Sequence, residues 1–103
     1  MDDFLALKVH DDDNVATVFS NGVEQGDSVV IRDKRGGSEN LAVISNIPYG
    51  HKVALMDISA GEKVVKYGES LGVVVKPVNK GEWVHVHNMD SLRGRGDQEE
   101  GHR

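Results

Sequence analysis

The chain uses one short device four times. Val23-x-x-Gly26-x-x-Val29 recurs as Ile47-x-x-Gly50-x-x-Val53, as Ile58-x-x-Gly61-x-x-Val64 and as Val78-x-x-Gly81-x-x-Val84. In each copy an apolar residue anchors the approach. The glycine then supplies a backbone angle that other residues resist, and a strand starts at the last apolar residue. Spacing between copies is uneven, which excludes a solenoid. The expectation is a small β domain that turns into a strand in the same way several times. The stretch from Ile47 to Asn88 holds three of the copies, with histidines and lysines at the turns and strand starts they create.

A chain of 103 residues suggests one domain. Its core will be thin, since only 38% of residues are hydrophobic and five in a hundred are aromatic. Abundant valine and twelve glycines favour short strands and tight turns. The formal charge of −5, with both signs interspersed, argues against nucleic acid, which would need a basic stripe. There is no cysteine, so disulfides, thiol catalysis and thiolate ligands are excluded within the chain. MDDFLALKVHDDD is too charged for a signal peptide, and no apolar run approaches membrane-spanning length. The expected compartment is the cytoplasm.

Strands are expected at Phe4–Val9 and Asn14–Phe19, then at Val29–Arg32 pairing with Leu41–Ile44 across the polar loop Asp33–Ser38. His51–Met56 reads as a strand or a single helical turn. Lys63–Tyr67 and Leu71–Lys76 are strands around Gly68-Glu69-Ser70, and Trp83–His87 is the last strand. Asn88–Arg93 could form one short turn. No long amphipathic helix is visible, so the expected fold is all-β with short irregular or single-turn helical pieces. Residues 93–103 form a polar tail without apolar anchors, expected to fray. The Arg-Gly-Asp within it reads as coincidence.

Several clusters could carry chemistry. In a strand, His85 and His87 face the same way as Trp83, while Val84 and Val86 face the core. Two same-side histidines begin many metal sites, and His51, His10 or a carboxylate could complete one. The plainer alternative is an exposed strand edge. His51-Lys52, directly after Gly50, could form an anion-binding corner for a carboxylate; the plainer alternative is an exposed turn. Lys66-Tyr67-Gly68 could orient a polyol, or simply end a strand with an amphipathic tyrosine. The run His10-Asp11-Asp12-Asp13-Asn14 is rich in oxygen ligands but lacks the spacing of a calcium loop, so a solvated turn explains it better. Asp13-Asn14 could instead cap a turn. Phosphate-binding glycine loops and nucleophile elbows are absent.

Four ordered motifs, HDDDNVA at 10–16, GHKVALMDI at 50–58, KYGESLG at 66–72 and KGEWVHVHN at 80–88, closely resemble the N-terminal region of the altronate and galactarate dehydratases. That region is a SAF domain, a compact β-clip, which the resemblance places at residues 1–92. The MDSLRGRGD continuation is similar to the linker of altronate-type members. In the family a much larger catalytic domain follows, so this chain resembles a stand-alone small subunit. A sulfolactate sulfo-lyase has a small subunit of the same kind.

The resemblance implies β-elimination from a sugar acid, aided by Fe2+ or Mn2+ and completed by a large catalytic subunit. It implies catalytic roles for Lys52, Lys66 and Tyr67. Substrate would be held by Asn14, His51, Lys52, Lys66 and Asn88, and metal by His85, His87 and His51, with the partner completing the ligand set. The expected partners are that subunit and a sugar acid, with neither nucleic acid nor membrane; a homo-oligomer is compatible with this reading. Two alternatives stand beside it: the small subunit of the sulfo-lyase, and a non-catalytic carbohydrate-binding or assembly module.

Overall fold

All four repeat glycines take a positive φ, from 81° at Gly50 to 96° at Gly26. Each turn closes in the same way. The N–H after the glycine donates to the carbonyl three residues back: Asp27 to Glu24, His51 to Pro48, Glu62 to Ser59 and Glu82 to Asn79. A positive φ at the third residue is what a type II turn requires. The apolar anchors on both sides are buried. The copies also pair two by two, through antiparallel bridges between Val23 and Ile47 and between Ile58 and Val78.

The computed structural model describes residues 4–91, with nine strands. They are β1 (Phe4–Leu7), β2 (Val15–Val18), β3 (Ser28–Arg32), β4 (Ser38–Ala42), β5 (Lys52–Ala54), β6 (Lys63–Lys66), β7 (Glu69–Val74), β8 (Trp83–Val84) and β9 (Met89–Ser91). Among the described residues there is no helix, and the all-β expectation holds. The ambiguous segment His51–Met56 supplies a strand. The expected tail, residues 93–103, lies outside the described residues.

Six strands form one sheet in the order β4-β3-β1-β2-β5-β8, and β6-β7-β9 form the other. β1 and β3 run parallel; the other neighbours are antiparallel. The Val29–Arg32 and Leu41–Ile44 pairing is present as β3 and β4, with Val29 opposite Leu41. β2 explains the existence of two cores. Ala16 and Val18 join Ala6, Val29, Ile31, Leu41 and Val53 in the first. Val15 joins Ala54, Val64, Val74, Val84 and Met89 in the second. A strand covered on both faces must be apolar throughout, as Val15-Ala16-Thr17-Val18 nearly is.

Two expectations are corrected near the C-terminal end. β8 stops at Val84, and Val86 is 69% exposed instead of facing the core. The cause is Asn88, whose buried amide folds the chain back. Its Oδ1 accepts from the His85 N–H at 2.9 Å, and its Nδ2 donates to the Trp83 carbonyl at 2.9 Å. Met89–Ser91 is then a strand paired with β7, where Asn88–Arg93 was expected to form one short turn.

Gly81 carries the heaviest constraint among the repeat glycines. Its φ is +89°, and a Cβ there would collide with the Ala42 carbonyl oxygen. Gly26 has φ +96° but open space around it. Gly26→Ala should therefore cost only the backbone term, about 1–2 kcal/mol. Gly81→Ala should cost about 3 kcal/mol or more, because backbone must also move. Urea unfolding midpoints of the two variants check the contrast.

Candidate functional site

The end of β5 is the place where polar side chains gather. β5 pairs with β8 so that Val53 faces Trp83 and Lys52 faces Val84. One step further in that register, His51 faces His85. Their rings lie 4.5 Å apart between centroids. The Trp83 indole stacks on His85 at 5.5 Å and 8°, and His87 lies 4.7 Å from the same indole. The Trp83 Nε1–H donates to His51 Nδ1 at 3.2 Å. Three histidines thus gather around one tryptophan, although His87 gets there through the Asn88 turn and not along a strand.

The third residue expected to help, His10, is elsewhere. Its Nδ1 accepts from the Asp12 N–H at 3.1 Å, and its ring lies against Gly68.

Why is a histidine at position 51 at all? In the other three copies of the turn, the residue after glycine is acidic, and its carboxylate reaches back to the first N–H of the turn. Asp27 accepts from Glu24 at 2.8 Å, Glu62 from Ser59 at 2.6 Å and Glu82 from Asn79 at 2.9 Å. In the second copy that first residue is Pro48, which has no N–H to satisfy. The carboxylate is unnecessary there, and position 51 is released for another purpose. The signal was present in the sequence: the second copy breaks the acidic pattern at the same place where proline removes the reason for it.

The cations form a second group. Lys52 leaves the strand on the face opposite Trp83 and Val53, as alternation requires. Burial lowers its pKa below the usual 10.5, and repulsion from Lys66 lowers it further. Among the described residues neither ammonium forms an ion pair. Lys66 lies over the Tyr67 ring, 4.8 Å from its centroid. Thr17 faces Lys52 across β2–β5, and its buried Oγ1 has no hydrogen-bond partner among the described residues. Sequence reading missed Thr17, since a threonine inside a strand gives no signal until its cross-strand neighbour is known.

The two groups still act on each other. The His85 pKa is lowered from 6.5 by desolvation, then by the charges of His51, Lys52 and His87. His85 is therefore neutral at pH 7.

Tyr67 sits in the left-handed region, φ 57°, followed by Gly68 at 75°. The β6–β7 turn has only these two residues, since Lys66 pairs with Glu69, and so a primed turn is required. Asp13 holds it. This carboxylate, 1% exposed, accepts from the Gly68 N–H at 2.9 Å and from the His10 N–H at 3.0 Å. Asp13 is thus no solvated turn residue, although its neighbours Asp11 and Asp12 are exposed.

Two residues expected to hold substrate make hydrogen bonds within the scaffold. Asn14 Nδ2 donates to the Lys63 carbonyl at 2.9 Å, and its Oδ1 accepts from the Val65 N–H at 2.8 Å. Asn88 is committed to its own turn, as described above.

As for metal, no group of three ligating side chains that could hold an ion exists among the described residues. The rings of His51, His85 and His87 are gathered by Trp83 instead. Among the described residues these three rings alone do not make up a three-ligand centre.

With this geometry in hand, the comparisons with known proteins are direct. The model for the altronate/galactarate dehydratase SAF domain matches residues 4–92. The chain belongs to that family. It is similar to galactarate dehydratase (L-threo-forming) of Escherichia coli, 39% identical over 79 residues, and to altronate dehydratase of the same organism, 32% identical over 82. It covers only 14% and 15% of those two proteins, with 76% and 80% of its own length aligned. It is also similar to (2R)-sulfolactate sulfo-lyase subunit alpha of Chromohalobacter salexigens, 40% identical over 90 residues, which cover 82% of this chain and 93% of that subunit. No helix among the described residues is long and apolar enough to cross a membrane.

Two predictions come from this geometry. Backbone N–H donors outweigh burial at Asp13 and leave its pKa below the ordinary 3.8. The stability this gives is present above 3.8 and is lost as pH falls through the lower folded value. Asp13→Ala should therefore cost about 2–3 kcal/mol at pH 7, and the difference from the native chain should shrink in strong acid. Urea unfolding at pH 7 and below pH 3 measures both. For His85, an NMR titration should give a midpoint below 6.5, and Lys52→Met should raise it by removing one of the repelling charges.

Proposed function

We propose that this chain is the SAF part of an altronate-type sugar-acid dehydratase, acting in the cytoplasm with a large catalytic polypeptide. The observation that carries the reading is the cation couple, Lys52 and Lys66, without an ion pair among the described residues, beside the histidine cluster in a chain of net charge −5. A desolvated ammonium group, Lys52, with Lys66 near it and no ion pair to either among the described residues, suits a carboxylate ligand. Family membership supports the same substrate class.

In this reading Lys52 and Lys66 hold the carboxylate. The exposed Tyr67 hydroxyl meets a hydroxyl of the polyol chain. Neutral His85 accepts a proton. The reaction breaks the α C–H and β C–O bonds; the proton and hydroxide leave as water, and the enol becomes a 2-keto-3-deoxy acid. Fe2+ or Mn2+ enters only through ligands of the companion polypeptide. This domain covers the companion's site and excludes water as a lid does.

A second reading is favoured by one finding. The sulfo-lyase subunit alpha is aligned over nearly its whole length at 40% identity, against 32% for the altronate dehydratase. The same cation couple would then hold the carboxylate of a sulfonated acid.

The test is reconstitution with the large polypeptide, using altronate, galactarate and sulfolactate, with and without Fe2+ or Mn2+. The isolated chain should be inactive. The mixture should release water from a sugar acid, and Lys52→Ala or Lys66→Ala should raise KM about ten- to a hundredfold. Turnover by the isolated chain, or full activity of the large polypeptide alone, overturns the subunit role. Sulfite release without action on sugar acids moves the assignment to the second reading.

A further inference from the structure

The ring cluster contains one hydrogen bond that determines what its central histidine can do. The Trp83 Nε1–H is a donor only. It points at His51 Nδ1, 3.2 Å away, so that nitrogen must carry a lone pair. In a neutral imidazole the proton is then on Nε2. We propose that Trp83 is a positioning residue: it fixes His51 as the Nε2–H tautomer, so that His51 offers a hydrogen-bond donor to a substrate oxygen and is not a metal ligand.

Several features of the fold converge on this arrangement. Val53 faces Trp83 across β5–β8, which sets the indole one register step from His51. Asn88 Nδ2 holds the Trp83 carbonyl, and Ser45 Oγ accepts from the Trp83 N–H at 3.2 Å. The indole is half-buried against the first core and is further packed by His85 and His87. At the other end of the bond, the backbone N–H of His51 closes the Pro48 turn at 3.1 Å. Donor and acceptor are thus both held by backbone contacts of their own.

The chemical consequence is specific. A metal binds imidazole through a lone pair, and in this tautomer the lone pair on Nδ1 is occupied by the indole N–H. Ligation through Nε2 would require loss of its proton or a tautomer shift that breaks the Trp83 bond. The same Nε2–H suits a carboxylate or hydroxyl oxygen, which needs a donor. A neutral imidazole that donates in this way can polarise an oxygen without carrying a charge. The choice of an oxygen of a hydroxy acid as acceptor rests on the function proposed above; the tautomer does not.

The experiment reads the tautomer in the full chain, without companion or substrate. Long-range 1H–15N correlation spectra are recorded on 15N-labelled protein at a pH where the histidines are neutral. His51 should show a pyridine-type Nδ1 and a pyrrole-type Nε2. Trp83→Phe, which keeps the ring but removes the donor, should turn this into a mixture of tautomers. Stoichiometric Zn2+ should leave the pyrrole-type Nε2 signal of the native chain in place. A His51 protonated mainly on Nδ1, or loss of the Nε2 proton signal on adding Zn2+, overturns the proposal. So does an unchanged tautomer in a folded Trp83→Phe variant. The native spectrum and the Zn2+ titration still decide if that variant does not fold. A failed dehydratase reconstitution would leave these spectra unchanged, so the two readings fail separately.

Discussion

A turn that ends in a glycine leaves the N–H of its first residue to be satisfied. Three copies meet it with a carboxylate one residue beyond the glycine, and that carboxylate is thereby spent. The fourth begins with Pro48 and has no such N–H. Much of the site follows from this one difference. The backbone of the Pro48 turn is as well closed as the others, with Gly50 N donating to the Val18 carbonyl at 2.8 Å. Its next side chain is free, and that side chain is His51. The scaffold therefore provides a fixed backbone position for a functional residue without giving up the turn. Proline also fixes the φ of the turn's first residue.

The second dependence is on Asp13. A buried carboxylate normally costs stability, because desolvation opposes its charge. Here backbone donors from the β1–β2 loop and the β6–β7 turn compensate, and the group stays ionised. The geometry gained is a tyrosine held at φ 57°, a conformation that costs about 1–2 kcal/mol for a residue with a side chain. Lys66 is fixed next to it, over the Tyr67 ring. Asn14 adds two hydrogen bonds to β6 from the neighbouring position. The acidic run thus acts by clamping the three-stranded sheet to the end of β2. Lys66 stands on the sheet it clamps, and Lys52 stands on β5 of the other sheet.

How much of this was legible in the sequence depends on the range of each interaction. The repeat, its glycines and the β3–β4 hairpin are local, and they were readable because four to seven residues determine them. Tyr67-Gly68 as a primed turn was also within reach, but the loop was placed one residue late. Val86 was misplaced because strand alternation was carried through His87. The amide of Asn88 ends that strand early, and only its contacts with Trp83 and His85 reveal it. Asp13 was read as solvated for the same reason: its donors at Gly68 lie 55 residues away. Thr17 became a candidate only through its register with Lys52. The resemblance to the dehydratases pointed to His51, Lys52, Lys66 and Tyr67, but it did not say that the strand sends His51 and Lys52 to opposite faces.

That division bears on how such a domain can take part in chemistry. A ring cluster and a cation couple on either side of a sheet edge cannot both enclose one small molecule unaided. They can both approach a ligand that sits across the end of β5 and β8, where the sheet has its edge and each group lies one residue from the other. At an edge two residues wide, the short β8 leaves little backbone between the faces. The electrostatics agree, since the charge of Lys52 is felt at His85 despite their opposite faces. A second polypeptide laid against this edge would bury both groups at once and strengthen every charge–dipole contact between them by removing water. The proposed carboxylate would then neutralise the repulsion between Lys52 and Lys66 that the isolated chain leaves unrelieved. Binding of substrate and seating of the companion would thus favour each other, because each lowers the cost of burying the same two ammonium groups.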